Sequence, residues 1–557
     1  MKKARPSMQA FRLPVTALLA CAAAPVLSQP VQGPVLTSGV PESAIVRPSA
    51  AAAPVAALNE PSGPPQFDPR LPRGTPADMA DGAPPAPVIG FEDALTRAYW
   101  TRPQLLAQRA RLRATDYRLP QARALSGPSL SFQATYGWQR DNVESALGGW
   151  AARSGWASTA AAVLNQPLFT FGANAAGERR ALGEIAFERA SLRSAEASAL
   201  FAAIQAYVLV LRARENVGIV RDDLALLERN QSDNALRFAQ REVTASDLQQ
   251  VETRVELARA QVKSALDDLA SSEARFIAAV GAPAGVLLPP PPLPLPAATL
   301  EEAYALAERD SPLLAAAYAR ERVSRAAADA ARSGMLPRVD LRGTAQVSTV
   351  TPYSDDLRRT ELRGEVVVSG PIFESGLRRA RTQEAGAAND ADWRLIDQAL
   401  RDTRAEVADA WNEWLAVTSS LDNLRNAADV ARRAFDGAQL QEKAGFRTTL
   451  DVLNLARELL QARSAYNNAT ASAYLAQARL LATIGLLEQA RLFPDAPRYD
   501  PDRHFDRTKD NGMVPVVVPL IRQFDGIFAG GRTNRPVRDP AAPLAAPGVD
   551  LPVPGAD

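Results

Sequence analysis

What most restricts how this chain can fold is a duplication that can be checked by subtracting residue numbers. Phe91, Pro103, Arg123 and Pro128 are answered by Leu300, Pro312, Arg332 and Pro337, each 209 positions later. Pro167, Phe169, Gly172, Thr244, Asp247, Ala258, Arg259 and Gly281 are answered by Pro371, Phe373, Gly376, Thr448, Asp451, Ala462, Arg463 and Gly485, each 204 later. Shared composition would repeat alanines. It would not repeat prolines, glycines, a threonine and an aspartate at constant spacing, so one unit has been copied. The change of offset places a difference of five residues in the loop between Pro128 and Pro167.

Each copy contains a stretch that reads as the apex of a long helical hairpin: QREVTASDLQQVETRVELAR from Gln240 to Arg259, and its counterpart from Lys443 to Arg463. Thr244 and Asp247 stand three apart, so the hydroxyl can cap incoming amides while the carboxylate reaches back, a capping box that opens a helix. Thr448 and Asp451 repeat it. Behind the boxes, Val251, Val255, Ala258, Val262, Ala265 and Leu269, then Leu455, Leu459, Ala462, Tyr466, Ala469, Ala473, Ala476 and Leu480, alternate spacings of four and three, the period of a coiled-coil seam. An ordinary amphipathic bundle helix would show the same seam. Ahead of each apex, however, helical patterning runs unbroken from about 173 to 238 and 377 to 442, which at 1.5 Å per residue is about 100 Å, far beyond an average globular helix.

Upstream of each long helix the period changes from helix to strand. In SLSFQATYGW, Leu130, Phe132, Ala134, Tyr136 and Trp138 share one face and Ser129, Ser131, Gln133 and Thr135 the other. Val339, Leu341, Ala345 and Val347 alternate in the same way with Asp340, Arg342, Thr344 and Gln346. The return strands are weaker: Trp156 to Leu164 is Ala-rich, and Leu362, Gly364, Val366 and Val368 alternate with Glu361, Arg363 and Glu365. Segments of about ten residues with one apolar face, one polar face and aromatic ends are the mark of membrane barrels, although a half-buried soluble hairpin reads alike.

Composition narrows the functions. Of 557 residues 46% are hydrophobic but only 6% aromatic, which suits close helix packing. With 63 basic and 62 acidic residues, no whole-chain field draws in nucleic acid or anionic lipid. One His and one Cys argue against side-chain metal sites, His-dependent triads and disulfide frameworks, and nothing resembles a nucleophile-base pair or phosphate loop, so neither an enzyme nor a cofactor is expected.

Lys2, Lys3, Arg5 and Arg12 before an apolar run from Leu13 to Ala20 are laid out as a secretory signal. Cleavage near Ser28 gives a leader of 1–28; Leu18-Leu19-Ala20-Cys21 also reads as a lipobox, with a leader of 1–20 and a lipidated Cys21. Residues 29–87 are Pro- and Ala-rich and are expected to be disordered. The repeats then occupy 88–281 and 299–488, joined by a Pro-rich linker over 282–298 that contains LLPPPPLPLP, and a Pro-rich tail fills 489–557. No run after the leader reaches about 18 uninterrupted apolar residues, so a membrane role would need a β-barrel.

Four strands cannot close such a barrel, whose smallest members have about eight, whereas three chains would pool twelve. The same symmetry would gather the long helices into a hollow tube. Here the residues meet a known family. FEDAL followed by Pro103, QPLFTFG and GPIFESG after the strands, and RFAQREVTASDLQQVETRVELARAQ and LQEKAGFRTTLDVLNLARELLQARSAY at the apices resemble the TolC-like outer-membrane efflux proteins, over about residues 88–490.

That resemblance implies an α+β membrane protein of mainly long helices. It would be a homotrimeric channel-tunnel with a 12-stranded barrel in outer-membrane lipid and a helical barrel in the periplasm, opened by a periplasmic adaptor and an inner-membrane transporter. In the family, charged groups at the apices hold the periplasmic end closed, and the matching positions are Asp247, Arg447 and Asp451. Thr244 and Thr448 are expected only to cap, and the aspartates can be read as caps as well. Glu442 stands where the TolC branch often has a gating Tyr, and Asn454 where it often has a second Asp. The rival class is an exported periplasmic adaptor or coiled-coil scaffold, which would need one hairpin and a separate β-domain. Drug, metal or protein cargo is not distinguished.

Overall fold

In the computed structural model the duplication carries through to the elements. The described residues are 86–144, 148–241, 243–294, 297–349 and 358–511, with 519, 521–523 and 525. The leader, Cys21 and the Pro/Ala-rich stretch as far as residue 85 lie outside them. The first repeat forms α1 (Phe91–Thr101), α2 (Pro103–Asp116), α3 (Arg118–Ala124), β1 (Ser129–Glu144), β2 (Trp150–Phe169), α4 (Ala173–Ala239) and α5 (Ala245–Val280). The second forms α6 (Leu300–Asp310), α7 (Pro312–Ser333), β3 (Arg338–Thr349), β4 (Arg358–Ser369), α8 (Leu377–Lys443) and α9 (Thr449–Ile484). Two short helices follow, α10 (Gln489–Leu492) and α11 (Pro501–Thr508).

Both long helices are 67 residues and both returning helices 36. A return of 36 residues lines only the apex-proximal half of its partner, so the other half of α4 is packed by α1, α2, α3 and α7, with α7 lying also against α8. α4 carries an 18-residue window of mean hydropathy 1.6, half of it buried within the protein. Leu200, Ile204 and Tyr207 of this helix fill the main core with Phe91, Phe276 and Leu481, where both hairpins end. Burial there satisfies the apolar stretch without a membrane.

Each return ends on a left-handed glycine pressed against the first helix of its own repeat. At Gly485, φ is 89° and a Cβ would sit 2.4 Å from the Asp310 carbonyl oxygen. At Gly281, φ is 83° and a Cβ would sit 3.1 Å from Thr101 Oγ1. Thr101 and Asp310 are themselves 209 apart, so the copied contact survives the copying.

Several expectations are corrected. The first strands run past Trp138 and start before Trp156, giving 16 and 20 residues against 12 and 12 in the second hairpin, so the five extra residues lengthen the strands rather than a loop. Pro167 and Phe169 belong to β2, which absorbs them through an irregularity between those positions, while in the second repeat the strand stops at Ser369. The helix after Pro103 is broken at Tyr117 in the first repeat only. Pro120 cannot donate to Asp116 and its ring crowds that carbonyl, whereas the matching residue in α7 is Asp329. The Pro-rich linker packs against the helices: Leu287 and Leu293 are buried, and the Tyr207 and Tyr474 hydroxyls donate to the Leu288 and Pro291 carbonyls at 2.6 and 2.9 Å. The tail from 489 contributes α10 and α11 to the packed body.

Candidate functional site

Two regions carry chemistry, a strand wall and the helical apices. The strands form one antiparallel sheet in the order β1-β2-β3-β4, so β1 and β4 each present an unpaired edge among the described residues. Register sorts the side chains. Leu130 faces Leu164, Phe132 faces Ala162, and Leu341 faces Val366 on one side. Thr135 faces Thr159, Asn165 faces Arg342, and Thr344 faces Arg363 on the other. The apolar side is bare: Phe132 is 75% exposed and Leu362 86%. Toward the tip of the first hairpin, Tyr136 stacks on Trp156 at 5.0 Å, with Trp138 and Trp150 also exposed, as at the interface of a bilayer.

The sheet curls around its polar side, where Asn165, Arg342, Thr344, Glu361, Arg363 and Glu365 line a trough of about 660 Å³. Its charges are arranged as pairs: Arg338 to Asp340 at 2.7 Å, Arg363 to Glu361 at 2.6 Å and Arg342 to Glu365 at 4.0 Å. Exposed apolar side chains opposite a wet, ion-paired trough match lipid on one side and water on the other.

At the other end of the long helices both capping boxes form. Asp247 N donates to Thr244 Oγ1 at 3.2 Å, and Asp247 Oδ2 accepts from Thr244 N at 3.1 Å and from its hydroxyl at 2.7 Å. Thr448 and Asp451 repeat this at 3.3, 3.4 and 2.8 Å. The Thr244 hydroxyl and then its backbone N–H hold the exposed Asp247 carboxyl below the usual range. Each cap uses only Oδ2, so each carboxylate keeps Oδ1 without a partner among the described residues. Arg447 is exposed and makes no hydrogen bond or ion pair among the described residues, so four residues of separation do not bring it onto Asp451 within the chain. Asn454 is likewise exposed.

The structure adds links between the two hairpins. Glu442, with 11% of its side chain exposed, lies 3.6 Å from Arg237 of α4 and accepts from the Thr449 hydroxyl at 2.9 Å. Thr449 Oγ1 is also 3.3 Å from Asn234 Oδ1. Farther up, Arg463 reaches Asp222 at 3.3 Å, and Asn467 donates to the Arg212 carbonyl at 3.0 Å. The duplication contains a signal for this. Glu442 occupies the position of Phe238, an acid replacing an aromatic, and Arg463 matches Arg259, which instead pairs within its own hairpin with Glu228 and Glu256.

The profile of outer membrane efflux proteins matches residues 94–282 and 303–486, both copies of the unit. The chain belongs to that family. It is 26% identical over 421 residues to the outer membrane efflux protein BepC of Brucella suis, covering 75% of this chain and 90% of that protein. It is 24% identical over 366 residues to the alkaline protease secretion protein AprF of Pseudomonas aeruginosa, covering 64% of this chain and 76% of that one. Its fold superposes on the outer membrane protein VceC of Vibrio cholerae with a TM-score of 0.61 at 19% identity, over 70% of this chain and 95% of that. The protein is thus an outer-membrane efflux channel of the channel-tunnel fold, with its strands in the outer membrane and its long helices in the periplasm. A whole-chain duplication matched twice leaves no room for the adaptor or scaffold alternative.

Proposed function

We propose that three copies of the chain close their sheets into one barrel of twelve strands over a common helical tube, and that the tube serves a periplasmic adaptor and an inner-membrane transporter. The observation that carries this reading is the four-stranded sheet whose unpaired β1 and β4 edges flank an apolar exposed face. Lipid cannot satisfy such edges, and strands of neighbouring copies can. Native mass spectrometry in detergent should give a trimer that conducts in planar bilayers. A stable monomer as the only species would end this proposal.

Within that assembly, Asp247 and Asp451 line the periplasmic constriction with their spare carboxylate oxygens, and Arg447, unpaired among the described residues, offsets their repulsion. The Glu442 link sets how far the second hairpin can swing from the first. The names of the relatives point to two cargo classes, efflux for BepC and protease secretion for AprF. Affinity purification that recovers the adaptor and transporter distinguishes them by the transporter's class.

A further inference from the structure

The chain after Pro497 follows α2, α3 and the start of α4 through a series of polar contacts. The Tyr499 N–H donates to the Tyr99 hydroxyl at 3.2 Å, and its ring lies 5.0 Å from the Arg109 guanidinium, which also faces Tyr99 at 4.2 Å. Asp502 pairs with Arg189 at 2.7 Å, His504 Nδ1 lies 2.7 Å from the Asp116 carboxylate, and Arg123 reaches Asp510 at 2.8 Å. Farther on, Arg522 pairs with Glu178 in the second turn of α4.

Asp525 lies at the far end. It is 3% exposed; its Oδ1 accepts from the backbone amides of Thr170 and Gly172 at 2.8 and 3.1 Å, and its Oδ2 from the Thr170 hydroxyl at 2.7 Å. This is the turn where β2 becomes α4. Phe171 and Gly172 are both left-handed, with φ of 51° and 87°, a conformation that aims successive amides into one concavity. α4 has no acid in its first turn, and its Asn174 backbone amide donates to Thr170 Oγ1 at 3.2 Å, the same hydroxyl that donates to Asp525. The matching turn in the second repeat has the same left-handed pair, Ser375 and Gly376, but carries Glu374 where the first has Thr170, and Glu374 is held by Arg378 at 2.6 Å. One copy therefore carries its carboxylate in the turn. The other receives it from 355 residues downstream.

We propose that Asp525 fixes the turn that opens α4, directly through the amides of Thr170 and Gly172 and indirectly through the Thr170 hydroxyl that caps Asn174, and so sets the strand-to-helix junction of the first repeat. The anion satisfies two amides and opposes the positive end of a 67-residue helix, at the point where barrel wall and tube are joined. An acid thus stands at each junction, Asp525 on the turn amides of the first and Glu374 beside Arg378 in the second.

Hydrogen exchange of the full-length protein in detergent tests this, with the start of α8 as internal standard. Asp525→Ala should speed exchange at Ala173–Ala176 about five- to tenfold and leave Leu377–Ala380 unchanged. Asp525→Asn should lie close to the parent, because the amide oxygen still accepts from both backbone groups. Adding Thr170→Glu to Asp525→Ala should restore protection, since it places the acid as the second repeat does. No change at α4 in Asp525→Ala, equal acceleration at both helix starts, or failure of Thr170→Glu to restore protection would each overturn the proposal. Should Asp525→Ala not fold, Arg522→Ala cuts the neighbouring ion pair and leaves the turn intact. It should then speed exchange at the start of α4 alone about twofold, and an unchanged rate there overturns the proposal as well.

Discussion

Arg237 and Glu442 meet at 3.6 Å across the two hairpins, close to both apices, and Thr449 ties the same carboxylate to Asn234. One arginine and one glutamate thereby couple the end of α4 to the end of α8. Their partners lie 205 positions apart in the chain, so the contact limits how the hairpins move relative to each other.

Glu442→Ala should free the second hairpin, costing about 1 kcal/mol of local stability and raising single-channel conductance in planar bilayers. Glu442→Gln keeps the bond from Thr449 and loses the charge, so it should fall between parent and Ala. If neither variant shifts conductance, this link does not restrain the tube.

Arg447→Ser should also raise conductance and admit bulky antibiotics, with the melting temperature unchanged, because Arg447 makes no bond among the described residues that folding would lose. Asp451→Asn separates gate from cap. Asparagine caps about as well as aspartate, so a changed conductance at constant melting temperature identifies the charge as the active feature, and an unchanged one leaves Asp451 as a cap alone.

Phe132→Arg and Val366→Arg sit on the apolar side of the sheet and should each cost about 2–4 kcal/mol near the bilayer midplane. Thr135→Arg and Arg363→Ala sit on the polar side and should assemble as the parent does. Dissociation temperature of the detergent-solubilised assembly reads both sets, and equal damage would reverse the assignment of faces.

Gly485→Ala should destabilise by roughly 2–4 kcal/mol, combining a left-handed residue with a Cβ driven into the Asp310 carbonyl. Gly281→Ala meets only a side-chain hydroxyl at 3.1 Å and should cost about half as much. Thermal unfolding followed by circular dichroism gives the order, which the reverse ranking would refute.

Asp223 lies in the groove between α4, α5 and α9, and burial pushes its carboxyl from the ordinary 3.8 up to about 6. The folded state therefore holds this proton more tightly than the unfolded state. The group favours folding below about pH 4, and this is lost as pH rises through 6. Asp223→Asn should raise the melting temperature at pH 7.5, with the gain shrinking toward zero as the buffer approaches pH 4. A gain independent of pH would mean that burial of the charge is not its source.

Much of the fold was legible because it is local or repeated. Capping boxes close within four residues, the seam within eight, and constant offsets carry each element of one half onto the other. Even there, the returning helices differ: Val251 and Val255 are fully buried as the seam predicts, whereas at the apex end of α9 the buried positions are Val452, Leu453 and Ala456, and the seam is buried toward the other end, at Ala476 and Leu480. The reason is that α9 packs on both α8 and α4, and Leu453 joins Val251 and Leu227 in one cluster. The start of β2, Trp150 to Gly155, is not legible in the sequence because its alanines and glycine have little intrinsic preference for strands, and cross-strand partners on β1 decide its conformation.

The sequence by itself determined the duplicated unit, the rod-length helices, the two-faced strands, the caps at Thr244 and Thr448, and the family. The family rests on the resemblance of the motifs to known proteins, and the others on contacts a few residues apart or on comparison of the chain with itself. Tertiary structure alone decided that Glu442 bridges hairpins, that Arg447 is left without a partner among the described residues, and that Asp525 reaches the turn at Thr170. These pairings span up to several hundred residues, and no periodicity encodes them. They exist because packing of the long helices brings otherwise ordinary charges into hydrogen-bonding distance, where a buried or half-buried polar group must find a partner.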